Sequence, residues 1–321
     1  MTPKISVIIP CYNVENFLKE CLDSVFKQTF QDFEVICIDD CSSDKTKEIL
    51  EQYVHNIQVI HNPENKGQAE SRNIGINQAK GDFIYFLDSD DTISENCLEI
   101  LYSKMLEDNS DMVMGAIQAY PQNSQDLFCV NHSNHLNDWL FFPSFAKKKI
   151  TPENVLECYH KLHCCPVNNL YKKSFLLNND IYFIHQKCFH EDNGFWFKIL
   201  ACNPIISGID EKTYFYRVRN GSTSDKMESD KKAHEKNLKL SLEDALTFVK
   251  KRKHMELSDF IYQEIHSKGR RHWLSFRWSK NEKYLTVFLI PIFRLKFSVK
   301  KQRGTLKIMG IPFYKWRKKN G

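Results

Sequence analysis

The sequence predicts an α/β fold: a mostly parallel, Rossmann-like sheet flanked by helices, followed by a C-terminal helical extension and a basic tail. Three observations carry this expectation. Between residues 5 and 87, short β-branched and aromatic runs alternate with stretches whose apolar residues fall at helical spacing, strand then helix until a fourth strand; such alternation builds right-handed βαβ units. Two of the strand-like runs end abruptly in carboxylates, Asp39-Asp40 and Asp88-Ser89-Asp90-Asp91, at the strand ends where open α/β sheets bind ligands. No G-x-G-x-x-G follows the first run and no G-x-x-x-x-G-K-[ST] occurs anywhere, which argues against a dinucleotide-dependent dehydrogenase and a P-loop phosphotransferase.

In order, Ile5-Ser6-Val7-Ile8-Ile9 is a β-rich run stopped by Pro10, and Phe17, Leu18, Cys21, Leu22, Val25 and Phe26 give 14–26 its helical spacing. Phe33 to Ile38 repeats the strand pattern, and Thr46 to Val54 reads as helix. Ile57 to Ile60 is a third strand, Asn62 to Gly67 a turn, and Ala69 to Ala79 a helix that Gly81 breaks. The fourth run, Ile84-Tyr85-Phe86-Leu87, leads into the acidic cluster. Beyond it, Ser94 or Asn96 can cap a helix carrying Leu98, Leu101, Tyr102 and Met105, and Met112 to Ala119 is a fifth strand. Residues 120–149 read as a polar excursion over the sheet edge. Pro152 opens a helical segment to His163, and Val167 to Tyr171 is strand-like. A helix runs from near Glu191 to Ala201, and strands follow at Ile205 to Ile209 and Thr213 to Tyr216. From Lys226 to about Ser279 the spacing is helical.

A chain of 321 residues, 42% hydrophobic and 26% charged, can bury a real core and is ordinary for a soluble globular protein. The eleven cysteines are scattered without a C-x-x-C pair, and no basic leader precedes Ile5, so reduced thiols, no secretion and a cytoplasmic location are expected. The formal charge of +5 hides an asymmetry: residues 283–321 hold eleven Lys or Arg and no acid, against 34 basic and 40 acidic groups before them. The tail also echoes Ile290-Pro291-Ile292-Phe293-Arg294 in Ile311-Pro312-Phe313-Tyr314-Lys315. Two apolar hairpin-like units flanked by cations fit peripheral attachment to an anionic membrane surface, and also fit a hairpin packed on the helical region with a solvated basic face. Tyr284 to Phe293 is too short for a spanning helix.

The alternation puts Pro10 to Asn13, Asp39 to Asp44 and Asp88 to Asp91 along one sheet edge. Clustered carboxylates repel one another unless a cation or a hydrogen-bonding ligand sits among them, and hard oxygen donors suit Mg²⁺ or Mn²⁺; taken alone, the cluster also reads as an acidic turn capping the next helix. Four stretches occur in order: Ser6-Val7-Ile8-Ile9-Pro10-Cys11-Tyr12-Asn13, Ile38-Asp39-Asp40-Cys41-Ser42-Ser43-Asp44, Asn65-Lys66-Gly67-Gln68-Ala69-Glu70-Ser71-Arg72-Asn73 and Phe86-Leu87-Asp88-Ser89-Asp90-Asp91. Together they resemble family 2 glycosyltransferases of the GT-A fold, of the kind that assembles bacterial surface glycans. The resemblance is specific over residues 4–120, thinner to 225 and nearly absent beyond.

That resemblance implies roles. Asp40 would accept the N3–H of the donor's uracil, Pro10 and Tyr12 would line the base pocket with Asn13, and Arg72 would face the nucleotide. Asp88 and Asp90 form the D-x-D pair around Ser89, one toward the ribose and one toward a Mn²⁺ or Mg²⁺ ion that bridges the diphosphate; Asp91 extends the motif. His190-Glu191-Asp192-Asn193-Gly194 looks like the family's catalytic-base motif, with Asp192 as base and Glu191 beside it. Both acids also fit a helix cap. Tyr214 to Ser224 resembles a segment that closes over the diphosphate, with Arg217 its contact.

The implied function is an inverting, metal-dependent transfer of one hexose or N-acetylhexosamine from a nucleotide sugar, UDP-linked, to a glycan or glycolipid acceptor in lipooligosaccharide or capsule assembly. Residues 1–225 would be the catalytic domain (1–120 for the nucleotide sugar, 121–225 for the acceptor), 226–282 a helical extension and 283–321 the membrane-surface tail. Rivals are a sugar nucleotidylyltransferase, whose glycine-rich basic phosphate loop is missing, and a noncatalytic membrane- or nucleic-acid-binding module; the enzyme reading expects no nucleic-acid partner. Cys158, His160, His163, Cys164, Cys165, His185, Cys188 and His190 meet no standard zinc spacing. Arg270-Arg271-His272-Trp273 faintly resembles the Q-x-x-R-W of processive polysaccharide synthases but lacks its Gln, which favours addition of a single sugar.

Overall fold

The computed structural model describes residues 2–121, 147–156, 159, 165–218 and 231–266, together with five strands between 274 and 317. The chain forms two compact units, Met1–Ile265 and His266–Gly321.

The first unit is built on strand β1 (Ile5–Cys11), all seven residues of which are buried. A strand covered on both faces reads as a continuous apolar run, as this one does. Strands β2 (Phe33–Asp39), β3 (Gln58–His61) and β4 (Phe83–Phe86) join it in parallel in the order β3-β2-β1-β4, linked by helices α1 (Leu18–Phe26), α2 (Thr46–Glu51) and α3 (Gln68–Gln78). Helix α1 buries Leu18, Cys21, Leu22 and Val25. Helix α3 buries Ser71, Arg72 and Asn73 alongside Ala69 and Ile76. A polar buried face is costly unless it is bonded, so this helix marks where binding groups converge. Gly75 lets it lie on β1, since a Cβ there would fall 2.3 Å from Ile8 Cγ2. The register sets Cys11 opposite Asp39 and Ile8 opposite Phe86. The turns after β1, β2 and β4 therefore leave at one edge, as the alternation predicts.

The rest of this sheet departs from the expected mostly parallel arrangement. The further elements are β5 (Thr92–Ile93), α4 (Cys97–Asp108), β6 (Met112–Pro121), β7 (Lys148–Lys149), β8 (Asn169–Lys172), α5 (Lys173–Asn178), α6 (Glu191–Leu200) and β9 (Ile205–Val218). Strand β8 inserts antiparallel between β4 and β6; β9 runs parallel to β6 and antiparallel to β5 and β7. The sheet is mixed. The two strands expected between 205 and 216 are one strand of fourteen residues. Polar Asp210 and Glu211 read as a break, but they fall at a register shift, where Met114 pairs Gly208 and Ala116 pairs Lys212, so a bulge absorbs them. Helix α5 and strand β5 have too few residues to show a period. The expected excursion at 120–149 and the helix to His163 lie largely outside the described residues.

Helices α7 (Lys231–Lys251) and α8 (Met255–His266) complete the first unit. Helix α7 packs on α6 where Gly194 meets Ser241: the Gly194 N–H donates to Ser241 Oγ at 2.8 Å, and a Cβ on Gly194 would lie 2.6 Å from that oxygen.

The second unit is an antiparallel sheet of β10 (Leu274–Trp278), β11 (Lys283–Ile290), β12 (Phe293–Lys300), β13 (Arg303–Ile308) and β14 (Ile311–Arg317), in that order. The helix expected to run to Ser279 ends at His266, and Leu274–Trp278 is a strand; five residues of mixed apolar and polar type satisfy either period. The register pairs Phe276 with Leu285, Leu285 with Phe297 and Val287 with Leu295, and sets Lys300 opposite Arg303. Among the described residues no helix is long and apolar enough to cross a membrane.

Candidate active site

The edge at the ends of β1, β2 and β4 collects most of the residues singled out from the sequence. After β1, Pro10 is buried within the strand, Tyr12 is 50% exposed, and Asn13 takes a left-handed backbone at φ 51°. Asparagine tolerates that conformation better than most residues. Asn13 Oδ1 accepts from the Ser43 N–H at 2.8 Å while its own N–H donates to Ser42 Oγ at 3.1 Å, tying the β1 turn to the β2 turn. Tyr12 stands half-exposed beside them.

Asp40 is buried and organises the next loop. Its Oδ1 accepts from Asn62 Nδ2 at 2.8 Å and the Lys66 N–H at 2.9 Å, and its Oδ2 accepts from the Gly67 N–H at 2.8 Å. Each carboxylate oxygen takes two hydrogen bonds, so Oδ2 keeps one acceptor position. Gly67 stands at φ 90°, a conformation that a side chain resists. Its partner Asp39 is spent on local structure, accepting from the Ser42 N–H at 3.1 Å and lying 3.0 Å from His61 Nδ1.

The centre of the site is Arg72, 2% exposed. One terminal nitrogen, Nη2, donates to Asp88 Oδ1 at 2.8 Å and the other, Nη1, to Glu191 Oε1 at 2.8 Å. Its charged head also lies 5.3 Å from the Phe183 ring centroid, and Phe183 stacks on Phe195 at 3.9 Å and 6°. Asn73 holds Phe183 in place, accepting from its N–H at 2.9 Å and donating to its carbonyl at 3.1 Å. Burial disfavours the Arg72 charge, but Asp88 and Glu191 outweigh it and hold the proton more tightly than usual. The strand-end acid at 88 and the acid at 191 thus share one cation, although about a hundred residues separate them.

Beside that bridge, Asp192 is half-buried in the first turn of α6. A helix N-terminus favours the anion, yet burial and then the neighbouring Glu191 charge push the Asp192 carboxyl up to about 7. Its Oδ1 accepts from the Asn193 N–H at 2.8 Å. Burial also raises Glu191, opposed by Arg72. The result is a carboxylate poised to take or give a proton near neutrality. His190, just before the helix, faces His234 at 3.1 Å and is lowered to about 4 by burial and then by that neighbour, so it stands as neutral imidazole.

The D-x-D acids divide. Asp88 Oδ1 accepts from Gln68 Nε2 and Arg72, both at 2.8 Å, and Asp90 is half-buried two residues on. Ser89 is buried between them. Asp91 is taken by β9: Tyr214 donates its hydroxyl to Oδ2 at 2.6 Å and the Arg217 N–H donates to Oδ1 at 2.7 Å. Burial first, then Asp90 and Asp88, push its carboxyl well above the ordinary range. Among the described residues no group of three His, Cys, Asp or Glu side chains is arranged to hold a metal. Two hard carboxylates, with Asp88 Oδ2 given no donor among the described residues, still fit Mg²⁺ or Mn²⁺, which ordinarily complete their shells from phosphate and water.

Arg217, expected to contact the diphosphate, is held by the protein's own groups. It is a buried residue of β9, with Nε donating to the Asp90 carbonyl at 2.8 Å, Nη2 paired with Glu20 at 2.6 Å, and its head between the rings of Phe17 and Tyr120. It shapes the Asp90 turn from behind. Residues 219–224 of the expected closing segment lie outside the described residues. Three residues take roles that the sequence did not assign: Gln68 and Tyr214, which lie inside quoted motifs, and Phe183, which lies in none. Gln68 had a further signal, since it precedes Arg72 by four residues and so shares its helix face.

A sequence model of the family described as "Glycosyl transferase family 2" matches residues 6–178. The chain is 30% identical over 240 residues to Glycosyltransferase GlyG of Streptococcus pneumoniae, covering 69% of this chain and 73% of that one. It is 31% identical over 221 residues to the poly(ribitol-phosphate) beta-N-acetylglucosaminyltransferase TarS of Staphylococcus aureus, covering 67% of this chain but 36% of that one. The crystal structure of S. aureus TarS 1-349 in complex with UDP-GlcNAc superposes with a TM-score of 0.60 at 25% identity, over 83% of this chain and 76% of that one. The mannosyltransferase PcManGT from Pyrobaculum calidifontis, in complex with GDP-Man and Mn²⁺, shares the fold at 15% identity with a TM-score of 0.55, over 84% of this chain and 71% of that one.

Proposed function

The chain belongs to glycosyl transferase family 2 and is a glycosyltransferase of the GT-A fold; on that premise we propose that it transfers a single hexose or N-acetylhexosamine, with inversion, from a UDP-sugar to a glycan or glycolipid acceptor. The observation that carries this reading is the buried Asp88–Arg72–Glu191 bridge, which sets a carboxyl tuned to about 7, Asp192, beside the strand-end acids.

The chemistry follows from these groups. Tyr12 offers a ring face to the base, and the remaining lone pair on Asp40 Oδ2 accepts from uracil N3–H. Asp88 Oδ2 and Asp90 are the residues to hold Mn²⁺ or Mg²⁺, which supplies neutralisation of the diphosphate charge as the sugar leaves. Asp192, ionised, takes the acceptor hydroxyl's proton as that oxygen attacks the anomeric carbon. The bond to the diphosphate oxygen breaks on the opposite face, and UDP carries off the electron pair. Glu191, held by Arg72, keeps negative charge beside Asp192 and so keeps it basic.

The setting we propose is the cytoplasmic face of a bacterial membrane, in assembly of a surface glycan such as lipooligosaccharide or capsule, with residues 283–321 on the anionic lipid. Supporting this are the relatives' names as surface-polymer glycosyltransferases and the composition of residues 283–321, eleven Lys or Arg and no acid among apolar runs. The test of the activity is UDP release from UDP-sugars with Mn²⁺ and an acceptor glycan. It is expected to vanish on chelation and to fall at least about 100-fold in Asp90→Ala; undiminished release in either case sinks the metal site.

A further inference from the structure

Both terminal nitrogens of Arg72 are bonded to Asp88 and Glu191, so Arg72 is held at the Asp88 side of the site and away from the loop that Asp40 organises. Lys187 comes to that place from the segment between β8 and α6. Its Nζ donates to Asn65 Oδ1 at 2.5 Å, and Asn65 Nδ2 in turn donates to the Asp40 carbonyl at 3.2 Å. Its stem lies on Gly67: a Cβ on that glycine would stand 3.0 Å from Lys187 Cγ. The next residue, Cys188, is buried, and its thiol donates to the Asn237 carbonyl at 3.2 Å, so the segment is anchored where it crosses the loop. Lys187 is exposed, and among the described residues it has no carboxylate partner. An ammonium bonded to one neutral amide retains two donors.

Position decides what those donors can reach. Asp40 follows β2 and Asp88 follows β4, with β1 between them. At the usual strand spacing the two acids are separated by about 10 Å across the edge. Lys187 touches the loop that Asp40 organises, and among the described residues it has no hydrogen bond or ion pair to the Asp88 turn. It serves the base end of the site and leaves the diphosphate end to Asp88 and Asp90.

We propose that Lys187 is a specificity-determining residue for the donor, donating to the O4 carbonyl of uracil while Asp40 accepts from the adjacent N3–H. The proposal rests on the UDP-sugar reading above. Uracil presents an acceptor beside a donor along this edge. Cytosine presents the reverse, an amino donor beside an acceptor nitrogen, and so meets the ammonium and the carboxylate with like against like. A site built to bond one edge rejects the other because its polar groups are then left unpaired.

The test is calorimetric titration of the full chain with UDP and with CDP in the presence of Mn²⁺. Wild type is expected to prefer UDP. Lys187→Ala is expected to weaken UDP binding about 5- to 30-fold while leaving CDP binding within about twofold, and Lys187→Gln, which keeps an N–H donor, to recover part of the loss. An equal loss for both nucleotides, or no loss for either, overturns the assignment, the first because it reports loop order alone. A wild-type protein that shows no preference for UDP over CDP or GDP overturns the donor reading instead, and the assignment with it.

Discussion

At the scale of single residues, the site is an exercise in placing negative charge where it is unwelcome. Asp192 is pushed up to about 7 by burial and then by Glu191. A rate that needs it ionised rises with pH through about 7, so the pH profile of kcat/KM, which reports the free enzyme, is expected to have its acid limb there. Glu191→Gln removes one of the charges that raise it, and the limb is expected to move to lower pH. An unmoved limb would mean that Glu191 does not tune the base. Asp192→Asn is expected to lower kcat about 100- to 10,000-fold. The same substitution is expected to stabilise the fold at neutral pH. Because the folded-state value lies above the unfolded one, the folded state holds the extra proton, and stability falls as pH rises between about 4 and 7. Asn is exempt from that loss, so the variant's thermal midpoint should exceed wild type's at pH 8, by about 1–2 kcal/mol of stability, and match it at pH 4. A midpoint no higher at pH 8 would place the carboxyl in an ordinary environment.

At the scale of elements, α6 carries the base and is positioned by a close approach to α7. Gly194 follows Asp192 by two residues, and a Cβ there would lie 2.6 Å from Ser241 Oγ and 2.8 Å from its carbonyl oxygen. A backbone oxygen cannot step aside as the end of a side chain can, so Gly194→Ala must displace one helix. The expected cost is about 1–3 kcal/mol, read as a lowered thermal midpoint, with kcat reduced while donor affinity is kept, because Asp40 and Asp88 stand on other elements. A variant that loses donor affinity in proportion would show that α6 also builds the donor site. Helix α3 illustrates the complementary case. Its buried face is polar, with Arg72 reaching forward to Glu191 and Asn73 holding Phe183, so it links the two acidic motifs by bonds where most helices would use apolar packing.

At the scale of the whole molecule, the chain divides into a body with the catalytic groups and a basic antiparallel sheet. Ending the chain after His266 is expected to leave UDP affinity within about twofold and to abolish binding to vesicles containing anionic lipid, a binding that in the full chain weakens as salt rises. Vesicle binding that survives the truncation would remove the tail from the membrane. The sequence by itself determined the parallel half of the sheet, because β1 to β4 are buried apolar runs separated by helices of ordinary length, and their periods are local. It likewise placed Asp40, Asp88 and Asp90 on one edge, since parallel strands joined by helices bring their ends to the same side. Only the tertiary structure decided which of these acids stay available. Asp91 is consumed by Tyr214 and the Arg217 backbone, Asp40 by its own loop save one lone pair, and Arg72 by two acids from opposite ends of the domain. Those assignments depend on contacts between residues 16 to 126 positions apart, and on a burial that raises Asp192, neither of which leaves a periodic trace in the chain.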